Sequence, residues 1–479
     1  MTVRPALLCS LALAALAGCL ALTFTTGGTL GDRTPLYGWY AADAALFAAA
    51  LLLLRRVPDR QVARLVLAGG VLVAATGLLA PPRTSDDAYR YGWDGKVQAA
   101  GVSPYAYPPE DPALARLRDP GRFPASPPSP ASPTGGGCTG WDERRTADGA
   151  CTRINRPAVH TIYPPLAEVW FLLQRPFGDG VRVAQAAGAA LATATTGALL
   201  ALTGGRRRAA LWAWCPGVAV WAVNDAHVDT LGALLAVTGL GLAARRRPAA
   251  AGAALGAATA VKLLPALTLP GALSGLLARR PTRRDVLLCT AAAGVFALSY
   301  LPYIAASGTG VLGYLPGYLR EEGYQQGHLE RFGLLRLLLP DRAAPWAAAA
   351  LLAAVLWRVL RHGDPRQPWR GALEVTGTAL LLAAPAYPWY ALLVVALAAL
   401  DGRWEWLAVP AAGQVLYLAG GSDTQQLAYG AAALTVIAVA AHRSRTPAPR
   451  PEADTVSGPG SRRSARPGGS RTGSRDRYR

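Results

Sequence analysis

Residues 206–247 read RRRAALWAWCPGVAVWAVNDAHVDTLGALLAVTGLGLAARRR. Two apolar runs, 209–223 and 226–244, lie between two arginine triplets, with the polar cluster Asn224-Asp225-Ala226-His227-Val228-Asp229 where they meet. Apolar runs of this kind cross the hydrocarbon core of a bilayer, and arginine-rich loops stay in the cytoplasm. The stretch therefore reads as a helical hairpin that leaves the cytoplasm at Arg208, turns at the polar cluster on the outer side and returns at Arg245.

The same alternation runs through the rest of the 479-residue chain. Hydrophobic residues make up 52% and charged residues 16%, where a soluble protein carries about 25% charged residues. Charge collects in runs such as Arg279 to Arg284, and the apolar stretches between runs predict about 11–14 spans. The expected fold class is all-α: a polytopic transmembrane helix bundle over residues 1–442 in the cell membrane, in contact with membrane lipids. A soluble or secreted globular enzyme is excluded. Arginine placement puts the loops at 25–35, 81–161, 307–330 and 420–425 outside. Residues 249–277 have arginines on both sides, and Pro265 and Pro270 suggest two short helices turning near Lys262.

The net charge of +19 follows the same logic. Ten arginines against three acids fall in residues 443–479, expected to be a disordered basic cytoplasmic tail near the anionic inner leaflet. No basic face alternates with stacking aromatics, so no nucleic acid is expected as a partner. Residues 120–137 (PGRFPASPPSPASPTGGG) have little to bury and predict a disordered insert in the large outer loop. In an oxidising compartment Cys138 and Cys151 of that loop would pair. Cys9, Cys19, Cys215 and Cys289 lie in apolar runs as small core residues. Leu16-Ala17-Gly18-Cys19 has the form of a lipoprotein signal, but the apolar run continues to Phe24 and is expected to stay as a first span.

Chemistry concentrates in the outer segments. Residues 85–109 (SDDAYRYGWDGKVQAAGVSPYAYPP) set Asp86, Asp87 and Asp94 beside Tyr89, Tyr91, Trp93, Tyr105 and Tyr107. Adjacent carboxylates repel, one of them gains proton affinity, and such a group suits general-base work. The aromatics suit stacking on sugar rings or an interfacial belt. Residues 153–171 (RINRPAVHTIYPPLAEVWF) bring Arg153, Asn155, Arg156, His160 and Tyr163; arginine forks fit phosphate oxygens or lipid headgroups. Asn224, Asp225 and His227 are costly in a bilayer and should line the bundle interior. Lys262 is one of two lysines and falls inside an apolar stretch, where it either snorkels or meets a phosphate. The loop carrying Tyr314, Tyr318, His328 and Glu330 reads as a cover or as a simple connector. Tyr387-Pro388-Trp389-Tyr390 reads as belt. A lipid or solute transporter or flippase, the alternative, would gather polar groups at the midplane. Polar segments all facing outward favour a catalytic site at the membrane surface.

Asp86-Asp87 followed by YRYGWDGKVQAAGVSPY, then TIYPP, AVNDAHVDTLGALL and AVKLLPALTLP, resemble the polytopic GT-C glycosyltransferases of actinobacteria, notably polyprenol-phosphate-mannose-dependent mannosyltransferases. The resemblance spans roughly residues 60–440. It implies an inverting enzyme that moves a hexose, mannose above all, from a polyprenyl-phosphate sugar donor to a lipid or glycan acceptor at the extracytoplasmic face. It further implies Asp86 or Asp87 as general base, Lys262, Arg153 and His328 as phosphate partners, and no cofactor or metal. As substrate-binding residues it leaves Tyr89, Tyr91, Trp93, Asp94, Tyr105, His160, Tyr163, Asn224, Asp225, His227 and Glu330. The insert at 120–137 is longer than the family loop.

Overall fold

The computed structural model describes residues 4–125, 137–203, 206–321 and 331–445. The chain divides into a compact unit, Met1–Val439, and a second unit from Ala440, of which residues 440–445 at the end of the last helix are described. His328, Glu330, most of the 120–137 insert and the tail beyond 445 lie outside the described residues.

Helices begin where proline or a capping side chain permits. The first three are α1 (Pro5–Thr26), α2 (Thr34–Leu54) and α3 (Asp59–Thr76). α1 and α2 pack together, and both carry proline in the first turn, where its missing N–H costs nothing. The large loop opens with α4 (Asp87–Ala99) and holds a small antiparallel hairpin, β1 (Arg144–Arg145) and β2 (Cys151–Thr152). Cys138 and Cys151 are joined by a disulfide. After Pro164 the loop ends in α5 (Pro165–Gln174), whose ten residues rise about 15 Å, too little to cross a membrane.

The bundle resumes with α6 (Val181–Leu202) and α7 (Ala210–Ala213). Pro216-Gly217 ends α7, and residues Val218–Asn224 wind into a π-helical turn. The chain bends by 112° into α8 (Asp229–Ala244). Next come α9 (Pro248–Val261), α10 (Leu269–Ala272) and α11 (Arg283–Ser307). α9 stops where Lys262 turns extended, and a 3₁₀ segment, Leu264–Thr268, follows around Pro265. α11 starts with a capping box between Thr282 and Asp285. The remaining elements are α12 (Leu315–Glu321), α13 (Gly333–Arg336), α14 (Ala344–His362), α15 (Pro368–Ala383), α16 (Leu392–Asp401), α17 (Ala408–Ala419) and α18 (Ser422–Arg445). Every residue of α16 is buried, which places that helix in the middle of the bundle. Around it sit the fully buried Trp212 and Trp214, whose indole N–H groups donate to the carbonyls of Ala192 and Val66 at 3.0 and 3.2 Å.

The protein is thus an all-α polytopic bundle. Among the described residues six helical stretches are long and apolar enough to cross a membrane alone, and the bent 218–244 pair is a seventh candidate. The other apolar runs fold as shorter pieces: α9, the 264–278 segment and the segment Pro388–Asp401. Proline sets these limits, because it denies the helix a donor and clashes with the preceding turn.

α9 and α11 touch through Gly252 and Gly256, a G-x-x-x-G pair. A Cβ at Gly252 would lie 2.1 Å from the Leu288 carbonyl oxygen, and one at Gly256 2.2 Å from that of Ala292. Small residues at this spacing let two membrane helices approach backbone to backbone. Gly256→Leu should force them apart and cost about 1–3 kcal/mol. Thermal unfolding of the detergent-solubilised protein checks this; an unchanged midpoint would refute the contact.

Candidate active site

The segment 81–87 follows α3 and is held from below. Asn224 accepts from the Arg83 N–H at 3.1 Å and donates to the carbonyls of Gly77, Ala80 and Pro81. Asp225 accepts from the N–H groups of Thr84 and Ser85 at 3.1 and 3.2 Å and from the Thr84 hydroxyl. Tyr417 of α17 donates to the Thr84 carbonyl from another side. Asn224 and Asp225 are fully buried, and the following Ala226 has φ +55, a left-handed conformation unusual for alanine. The sharp turn read from the sequence therefore serves as a clamp on the segment that presents the acidic pair.

Asp86 and Asp87 both face one cavity of about 720 Å³. Asp86 pairs with Arg144 of β1 and accepts from the Asn155 amide at 3.2 Å. Asp87 accepts from the same amide and lies 3.3 Å from His227 Nδ1. The His227 ring stacks on Trp389 with centroids 3.9 Å apart. Burial raises the proton affinity of Asp86 and the Asp87 charge adds to this; Arg144 and Asn155 pull the other way, and the net shift is upward. Burial also works to raise Asp87, but His227, Lys262 and Asn155 together outweigh it and hold that carboxyl below its ordinary value. The pair is split as neighbouring carboxylates should be: Asp87 holds its charge more firmly, and Asp86 takes up a proton more readily.

Lys262 reaches the cavity from the end of α9 and pairs with Asp229 at 2.8 Å. Its ammonium lies 4.6 Å from the Tyr390 ring centroid. His160, Tyr163, Arg156 and Arg331 line the same space, and Arg156 sits over the Tyr318 ring. Leu263, Leu264, Leu267, Leu315, Leu319 and Leu380 supply an apolar wall. Tyr387, Trp389 and Tyr390, read from sequence as interfacial belt, are instead part of the cavity lining. Among the described residues no three His, Cys, Asp or Glu side chains gather as metal ligands would.

Several residues expected at the site stand behind it. Tyr91 stacks on Phe171 in a small core with Tyr163, and Trp93 is buried with Val97, Leu114 and Ile154. Tyr105 donates to the Tyr163 carbonyl at 2.6 Å. Asp94 pairs with Arg90 at 3.0 Å, and Arg90 also donates to the Val159 carbonyl, steadying the segment that carries His160. Arg153 pairs with Asp142 and Glu143, with its guanidinium over the Tyr89 ring. The side chains of Tyr89, Tyr91, Trp93, Asp94, Tyr105 and Arg153 are occupied by packing and pairing and are not part of the cavity lining, which Arg90 and Tyr163 do reach. Arg144 was not singled out from the sequence; it is one of several arginines in a polar loop, and only the hairpin brings it to Asp86. Glu168 was also missed: it sits inside the apolar-looking start of α5, fully buried, and accepts from Thr161 at 2.8 Å and Gln98 at 3.0 Å.

Residues 161–385 match the family model described as Glycosyltransferase family 87. The match supports a membrane glycosyltransferase. It spans just under half of the chain, including His227, Lys262 and Tyr163 but not the Asp86-Asp87 pair. No curated protein and no solved structure matches the chain.

Proposed function

We propose that the protein is an inverting glycosyltransferase that moves a hexose, mannose in the first instance, from a polyprenyl-phosphate donor to a lipid or glycan hydroxyl at the extracytoplasmic face of the cell membrane. The observation that carries this reading is a single cavity in which a split carboxylate pair, Lys262 and a leucine wall meet. Asp86 takes the proton from the acceptor hydroxyl. The freed oxygen attacks the anomeric carbon, the bond from that carbon to the phosphate oxygen breaks, and its electron pair leaves with the polyprenyl phosphate. Lys262, with Arg156 and Arg331, faces the departing anion; the leucines receive the first isoprenes. The disulfide in the largest of the loops read as outward supports the sidedness.

The test is purified full-length protein with polyprenyl-phosphate mannose and membrane-lipid acceptors. Covalent mannolipid is the expected product. Uptake of substrate into proteoliposomes without any glycosylated product would overturn the proposal in favour of transport. Lys262→Gln should lower kcat/KM roughly ten- to a hundredfold, the worth of a charged hydrogen bond to phosphate; unchanged kcat/KM removes Lys262 from the donor site.

A further inference from the structure

Arg144 reaches Asp86 from a hairpin whose own ladder is short. Its two strands are two residues each, with Arg145 opposite Cys151 and Arg144 opposite Thr152. A ladder that short is not stable alone in water. Two further links fasten the second strand: the Thr152 hydroxyl and the Arg153 N–H both donate to the Arg122 carbonyl, at 2.9 and 2.8 Å. Arg118 pairs with Asp148 in its turn, the Ala147 N–H donates to Glu110 at 3.1 Å, and Arg153 pairs with Asp142 and Glu143. A covalent link adds to these: the Cys138–Cys151 disulfide, whose second cysteine lies one position from the residue facing Arg144. The Arg144 side chain is 32% exposed, while that of Asp86 is 15% exposed. An ion pair this open is weak unless its partners are held together by the chain.

We infer that Arg144 is a positioning residue for the Asp86 carboxylate, and that the Cys138–Cys151 disulfide, the covalent tie on the hairpin that carries it, helps to hold it there. The guanidinium fixes which Asp86 oxygen faces the cavity and limits how strongly that carboxyl holds a proton. Four other groups act on Asp86: Asp87 and Tyr89 from α4, Tyr417 from α17 and the neutral Asn155 amide. Arg144 is the cation among the groups that lower its proton affinity. Loss of Arg144, or of the tether, therefore leaves Asp86 protonated to higher pH. The catalytic meaning of this rests on Asp86 as the base; the geometry does not.

The experiment reads protonation directly and needs no substrate. Purified full-length protein is treated with a water-soluble carbodiimide and glycine ethyl ester across a pH series, and the Asp86 peptide is followed by mass spectrometry. Only a protonated carboxyl is activated. Arg144→Gln should move the labelling midpoint up by about one pH unit, the usual effect of losing a neighbouring arginine. Arg144→Lys should stay near the parent. Dithiothreitol, or the Cys138→Ser/Cys151→Ser double variant, should also move the midpoint up, with no further shift when combined with Arg144→Gln. An unchanged midpoint in Arg144→Gln, or no Asp86 label in any form, overturns the inference. A shift in Arg144→Gln that loss of the disulfide does not reproduce overturns the tether. Transfer by Asp86→Asn is measured alongside: retained transfer there sinks the base assignment while leaving the labelling result to stand or fall separately.

Discussion

Asp86→Asn is expected to reduce sugar transfer by roughly 10²–10⁴-fold, the usual contribution of a positioned general base. The substitution keeps size and hydrogen bonding to Asn155 but removes the capacity to accept a proton and the charge that pairs with Arg144. Asp87→Asn should cost less. That carboxylate holds His227 and the Asn155 amide in place, and its charge helps raise the proton affinity of Asp86. The two variants differ further in their pH dependence. Because the folded-state proton affinity of Asp86 is raised, activity falls on acidification at a higher pH than an ordinary aspartate near 3.9 would give. Above that point the base is ionised and pH has no effect through it. Removing the Asp87 charge should shift the acidic limb downward. Full activity in Asp86→Asn with loss in Asp87→Asn would exchange their roles; full activity in both would end the proposal for this pair.

Asp225→Ala is expected to have the largest effect on stability. The buried carboxylate receives two backbone N–H groups and one hydroxyl from Thr84 and Ser85. Hydrogen bonds to a charged group contribute about 1.5–3 kcal/mol each, and the stranded donors at residues 84 and 85 then stay unsatisfied inside the protein. A loss on the order of 3–5 kcal/mol follows. Transfer should fall with it, because the same segment presents Asp86. Asp225→Asn, which keeps an acceptor, should recover part of both. Thermal unfolding in detergent and the transfer assay measure the two effects; an Asp225→Ala protein as stable as the parent would refute the clamp.

Much of this was legible in the chain. Apolar length and arginine placement depend on local composition, so the helical bundle and the large loop could be read directly. The break at Lys262 was legible because proline acts on its own neighbourhood, and the acidic pair because adjacent charges are conspicuous. The roles within the loop were not. Tyr91, Trp93 and Tyr105 have the composition of a sugar-binding surface, yet all three are buried; whether an aromatic lines a cavity or fills a core depends on what packs against it. Asn224 and Asp225 likewise look like ligands until the 77–85 backbone is set on them.

Near-neighbour chemistry alone therefore sets the class of molecule and the places where charge enters an apolar chain. Which charges meet depends on how the chain folds. Asp86, Asp87, Arg144, His227 and Lys262 come from four distant segments, and the proton affinities of the two aspartates are set by burial and by charges a few ångströms away. Those distances exist only after the loop has folded over the bundle.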